Sequence, residues 1–283
     1  MPIHLFYWSE QRERVNFGDY ISLYLYDKLI ERNTERGEIL LLGVGSILHA
    51  PLLSKVLDSR PDLAELHVWG SGARTLHGPA LSWLESRIVT RIHGVRGRYT
   101  ARALQCSAEL AIGDPAFLLP FLIQTSPAEA KSGTTFVPHI SQCKHTPELQ
   151  ALLTKSRCDR VLEPLIDPTP DSLENFVAEL CSSSFILTNS LHGAILAQAY
   201  GVPFSYGTVG DYLNCPFKWK DHSSAISAAH LFAANLEQGR TLYRDNFSRA
   251  LTPDAARILE ALPEHWLSPL ARNIRAEMRP SLA

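Results

Sequence analysis

The residues best suited to chemistry are a histidine at the opening of an expected helix and two arginines around a glycine. His192 stands in the segment SFILTNSLHGAILAQAYGVPF, residues 184–204. An apolar run ends there in Thr188-Asn189-Ser190; a helical stretch over 194–200 follows, and Val202-Pro203-Phe204 opens the next strand. The start of a helix exposes unpaired N–H groups and a partial positive charge, which suits phosphate or carboxylate. A histidine beside such an anion site is placed to move a proton. The plainer reading of the same residues is that Asn189 and Ser190 cap the helix and His192 packs at its start. Arg96 and Arg98 flank Gly97 in VRGRYT. A guanidinium fork matches carboxylate or phosphate, so the two can clamp a small anion; they read equally as a solvated surface pair.

Further turns follow expected strands, where open α/β sheets bind ligands. Asn16-Phe17-Gly18-Asp19 precedes the first helix, with Asp19 an ordinary N-cap choice. Gly43-Val44-Gly45-Ser46 resembles the start of a dinucleotide fingerprint, but Leu48 stands where its third glycine belongs, which argues against NAD. A close backbone approach to some other ligand stays open at Gly45 and Ser46. Gly70-Ser71-Gly72 ends another strand, and Gly113-Asp114-Pro115 is a turn that structure alone can explain. His139, at the end of Val137-Pro138-His139, is placed to face a cleft. Lys218-Trp219-Lys220-Asp221 reads as surface, and Cys215 lacks an evident base. No G-x-S-x-G and no P-loop occurs.

The elements that must position these groups alternate between strand and helix. Strands are expected at 3–8, 39–42, 66–69, 88–93, 110–112, 134–138 and 160–163, and helices at 20–32, 52–59, 99–106, 148–155, 172–181, 225–238 and 254–262. Alternation of this kind implies parallel sheets with helices on both faces. The polar stretch QTSPAEAKSG breaks the pattern. It divides the chain into an N-terminal Rossmann-like domain, 1–124, a linker, 125–133, and a C-terminal Rossmann-like domain, 134–283, with a cleft between them. Residues 266–279 read as helical and able to dock on either domain.

The 283 residues, 45% hydrophobic, are ample for packed cores. A net charge of −2 with scattered Lys and Arg gives no nucleic-acid surface. Five irregularly spaced cysteines, no leader-like opening and no long apolar run lead to the expectation of a cytoplasmic protein with free thiols. His139, Cys143 and His145 lie close together but lack a partnering C-x-x-C, so no metal is expected.

The ordered set NFGD, GVGSIL, WGSG, GVRGRYTARAL, GDPAFLLP, VPH and TNSLHGAILAQAYGVPF, across about residues 16–221, resembles the polysaccharide pyruvyl transferase family. The resemblance implies an architecture like that of the two-domain GT-B glycosyltransferases. It also implies transfer of pyruvate from phosphoenolpyruvate, a substrate rather than a cofactor, onto a sugar of an exopolysaccharide or cell-wall glycan precursor as a ketal. Arg96 then holds the donor and His192 is the catalytic acid, with Arg98, Asn189, Ser190, Leu191 and Gly193 around the donor. Many members carry Arg where this chain has Ser190, and Arg98 is the candidate stand-in. A lipid-linked acceptor would draw the enzyme to the inner face of the membrane. A GT-B-type glycosyltransferase using a nucleotide sugar and a non-catalytic glycan-assembly subunit are the alternatives.

Overall fold

A computed structural model describes residues 3–8, 13–31, 38–125, 131–143 and 146–278. The apolar runs become two parallel sheets. The first half of the chain contributes β1 (Ile3–Phe6), β2 (Val15–Asn16), α1 (Phe17–Leu29), β3 (Glu38–Leu42), α2 (Ala50–Ser59), β4 (Leu63–Ser71), α3 (Leu81–Glu85), β5 (Val89–Val95) and α4 (Arg98–Leu104). Its sheet has the order β1-β3-β4-β5, all parallel.

The second half contributes β6 (Thr134–Val137), α5 (Thr146–Ser156), β7 (Arg160–Val161), β8 (Leu165–Ile166), α6 (Pro170–Cys181), β9 (Phe185–Thr188), α7 (Leu191–Ala199) and β10 (Phe204–Tyr206). The helices α8 (Pro216–Ala225), α9 (Leu236–Asp245), α10 (Ala255–Glu260) and α11 (Pro269–Met278) complete it. Its sheet has the order β10-β9-β6-β7, again parallel. Parallel strands need helical crossovers and lie covered on both faces, which is why β9 reads FILT and is buried throughout.

The two halves are joined. β2 pairs antiparallel with β8, Val15 opposite Ile166. One cluster of buried apolar side chains runs from Phe17 and Ile21 of α1, through Phe117 and Leu118, to Ile195 and Leu196 of α7. Phe17 stacks on Phe176 of α6 with ring centroids 4.0 Å apart. This packing sets the start of α1 against the start of α7. The C-terminal helices return to the first half: Trp69 Nε1 donates to the Ile258 carbonyl (2.8 Å), and the Ser268 N–H donates to the Leu29 carbonyl (2.9 Å).

Four expectations are corrected. α1 begins at Phe17, so Asn16 and not Asp19 holds the N-cap position. α7 begins at Leu191, which puts His192 inside its first turn. Residues 110–112 form no strand; a short 3₁₀ turn, Ala108–Leu110, leads into a single bridge between Val95 and Ala111. The expected helix over 225–238 is instead the end of α8, a loop and the start of α9. That loop is rich in helix formers, but Ala233 bridges to Gly207: its N–H donates to the Tyr206 carbonyl (2.9 Å) and its carbonyl accepts from Thr208 N–H (2.8 Å). A ladder bond at the sheet edge outweighs local propensity here. Of the linker, residues 126–130 lie outside the described residues, as do Arg32 at the end of the first expected helix and Arg279 at the end of the last.

Candidate active site

The turn from β9 into α7 is locked by side chains. Thr188 Oγ1 donates to the Val137 carbonyl (2.9 Å) and accepts from the Ser190 N–H (2.9 Å). Asn189 donates to Gln142 Oε1 (2.8 Å) and the Val209 carbonyl (2.9 Å), and accepts from the Val209 N–H (3.1 Å). Its hydrogen-bonding groups therefore hold the loops together and do not line the cleft. Ser190 makes no capping bond through its side chain, which leaves the first-turn N–H groups of α7 for an anion. Gly193 packs beneath, against Thr188 and Val137.

His192 follows on the cleft side, its side chain 11% exposed. Its ring lies directly on Gly18 at the start of α1: a Cβ on Gly18 would sit 2.2 Å from Nδ1. Nε2 is 3.8 Å from Oδ2 of the fully buried Asp114. The other carboxylate oxygen of Asp114 accepts from the Ala116 N–H (3.0 Å). Burial pushes the Asp114 carboxyl up, but the neighbouring His192, then the charge of Arg96 and the Ala116 N–H, outweigh it and hold it below the usual carboxylate range. The turn that ends the first half thus places an anion behind the histidine. Gly18→Ala is expected to displace the His192 ring and remove most activity while Gly18→Ala protein stays folded; comparing turnover with the circular dichroism of the same sample checks this.

Arg96 is fully buried, and its guanidinium is not among the groups lining the cleft. Nε donates to Asp221 Oδ2 (3.1 Å) and Nη1 donates to Ser46 Oγ (2.9 Å). Gly72 gives it room, since a Cβ there would meet Nη2 at 2.1 Å. Asp221 also accepts from the Thr100 N–H (2.7 Å) and hydroxyl (2.6 Å). The stretch 218–221 is therefore no surface run: Trp219 and Asp221 are completely buried on α8. Arg98 is exposed, donates its backbone N–H to Ser224 Oγ (3.0 Å), and stands away from the cleft.

A cleft of about 270 Å³ opens in front of His192. The first half lines it with Trp8, Asn16, Asp19, Gly45, Ser46, Ile47 and Arg74. The second half contributes His139, Ile140, Ser141, Ser190, Leu191, His192, Asn214, Cys215 and Lys218. Asn16 Nδ2 donates to Asp19 Oδ2 (3.0 Å). His139 is engaged at both ring nitrogens: Nδ1 with the Ser141 N–H (3.2 Å) and Tyr212 hydroxyl (2.9 Å), Nε2 with the Asn214 amide (3.0 Å). Burial, then the charge of Lys218, pushes His139 down to about 3, so it is a neutral wall and not a proton donor near neutrality.

Trp8, Arg74, Asn214, Cys215 and Lys218 were not legible as cleft residues in the sequence. Arg74 had the strongest signal, because it follows GSGA in the turn after a strand. Of the three residues weighed for zinc, His145 lies outside the described residues. Among the described residues no group of His, Cys, Asp or Glu is placed to hold a metal ion.

The chain belongs to the polysaccharide pyruvyl transferase family, which it matches over residues 5–206. It is 31% identical over 230 residues to succinoglycan biosynthesis protein ExoV of Rhizobium meliloti (strain 1021), covering 80% of this chain and 65% of that protein. The match thus spans just under two thirds of that relative's length. It is also 30% identical over 131 residues, 44% of each chain, to the uncharacterized protein L143 of Acanthamoeba polyphaga mimivirus. No solved structure matches the chain.

Proposed function

We propose that this protein transfers pyruvate from phosphoenolpyruvate onto a sugar of an exopolysaccharide or cell-wall glycan precursor and closes a ketal. The observation that carries this reading is His192 in the first turn of α7, facing a cleft and backed by the buried Asp114 at 3.8 Å. Family membership and the likeness to a succinoglycan biosynthesis protein support it.

In this scheme the α7 N-terminus receives one of the donor's anionic groups. His192 delivers a proton to the methylene carbon, which makes C2 electrophilic. A sugar hydroxyl attacks C2 and releases its proton. A second hydroxyl then attacks C2 as the C–O bond to phosphate breaks, its proton leaves with the phosphate, and the ring of the ketal closes. Ionised Asp114 holds the imidazole and opposes the positive charge it carries while it exchanges the proton. The scheme requires no cofactor and no metal. We read the two sheets as two Rossmann-like halves of the GT-B shape. Among the described residues no helix is long and apolar enough to cross a membrane. A lipid-linked acceptor would bring the protein to the cytoplasmic face of one.

Calorimetry tests the reading. Phosphoenolpyruvate is expected to bind, UDP-sugars are not, and added acceptor should release inorganic phosphate. Binding of a UDP-sugar without phosphoenolpyruvate would make the protein a nucleotide-sugar glycosyltransferase. Binding of neither would leave a non-catalytic glycan-assembly subunit.

A further inference from the structure

An anionic donor and a sugar acceptor need different walls. For the anion the interior holds unpaired polar groups: among the described residues His192 Nε2 and Arg96 Nη2 are buried without a hydrogen-bond partner. Buried groups of that kind call for an occupant. Trp8 offers the opposite chemistry. It follows β1, at the carboxyl end where open parallel sheets bind ligands, and it lines the cleft. Of the large apolar side chains that stand exposed among the described residues, it alone does so, with 43% of its surface open. β1 and β5 are the two edges of the first sheet, so the chain at Trp8 and at Arg96 leaves it roughly 14 Å apart, three strand spacings.

A chain of contacts that spans both halves holds the indole in place. The Arg74 guanidinium lies over the ring, 6.0 Å from its centroid. The Arg74 carbonyl in turn accepts from the thiol of Cys215, the N-cap residue of α8 (3.3 Å). A cation against the ring fixes its orientation, and the exposed remainder is left to the cleft. The face of an aromatic ring carries the negative part of a quadrupole. It therefore repels phosphate and carboxylate and attracts polarised C–H groups. A pyranose ring presents such C–H groups on its faces and its hydroxyls around the rim.

We propose that Trp8 is the acceptor platform of the cleft: one pyranose ring of the acceptor lies with its C–H face on the indole and turns its hydroxyls towards the donor beside His192. This rests on the pyruvyl-transfer reading for the reaction, whereas the sugar contact itself can be measured without a donor. Asn16 and Asp19, paired at the start of α1, line the cleft from the same half and supply an amide and a carboxylate for hydroxyls. The cleft, at about 270 Å³, falls at the small end of ligand pockets, about 300–1,000 Å³. It therefore takes one sugar ring beside the donor, and the rest of the glycan stays outside.

Saturation-transfer NMR tests the assignment on wild type, Trp8→Phe and Trp8→Ala, with folding checked by circular dichroism. The probes are the methyl pyranosides of glucose, galactose and mannose. At least one is expected to receive saturation from wild type, strongest at the ring protons of a single face. Trp8→Phe should keep that contact, and Trp8→Ala should weaken the affinity by about 3–10-fold, the size of one aromatic contact. Calorimetry with phosphoenolpyruvate should give the same donor affinity in all of them. No saturation of any glycoside by wild type, or equal saturation by Trp8→Ala, overturns the proposal. Equal losses of sugar and donor affinity in Trp8→Ala also overturn it, because the indole would then serve only to hold Arg74 and the wall around it. If the glycoside contact depends on Trp8 but phosphoenolpyruvate does not bind, the platform stands and the donor reading fails.

Discussion

His192→Gln is expected to lower pyruvyl transfer by about 10²–10⁴-fold, the range a positioned general acid contributes. Glutamine approximates the reach of the imidazole and can donate a hydrogen bond, but it cannot exchange a proton near neutral pH. The glutamine variant therefore separates proton delivery from positioning. The ring is held between Gly18 and Asp114 in the first turn of α7, and its replacement takes away the imidazole that faces the buried Asp114. Some loss of stability is expected, so turnover is to be measured by phosphate release well below the unfolding midpoint of each variant. Donor affinity should change far less than turnover. Near-normal turnover in His192→Gln would mean the histidine only orients the substrate, and the acid would have to be another group. His139 is a poor replacement, since burial holds it near 3 and both its nitrogens are engaged.

Arg96→Ala is expected to unfold the protein more than to disarm it. The arginine resembles a donor clamp in sequence, yet its guanidinium joins α8 to the first sheet through Asp221. Removing one partner of a fully buried pair leaves an uncompensated charge, at a cost of about 3–5 kcal/mol. Native domains have only about 5–15 kcal/mol in hand, so the loss takes a large share of the total. Asp221→Ala should be of similar size, because Arg96 and both Thr100 donors lose their acceptor. The double replacement Arg96→Met, Asp221→Leu should recover much of the stability and none of the activity. Urea unfolding of these variants beside the wild type measures each change in stability. Full stability in Arg96→Ala, with donor affinity alone reduced, would return Arg96 to the role of direct clamp.

Both predictions depend on contacts between segments far apart in the chain, which marks the boundary of what the sequence determines. The β9–α7 unit was legible because its signals are local: a continuous apolar run, a polar turn, then an uninterrupted helical stretch closed by Gly201. The strand–helix alternation was legible for the same reason, and the ordered turns placed His192, Ser46 and Asp114 near one another before any packing was known. The loop at Ala233 was not legible, because its bond to Tyr206 is made across the sheet edge against strong helix formers.

Tertiary structure alone decided which charges face the cleft. Arg96 and Arg98 are two residues apart and look alike in sequence, yet one is fully buried and the other exposed. The difference arises because Asp221, 125 residues away, accepts from the first, and among the described residues no carboxylate accepts from the second. Within Lys218-Trp219-Lys220-Asp221 the same packing of α8 buries Trp219 and Asp221, leaves Lys220 exposed and sets Lys218 against the cleft. Sequence determines which groups can be ionised. Whether each meets water, a counter-charge or a substrate depends on desolvation and on partners that only the folded chain brings within a few ångströms.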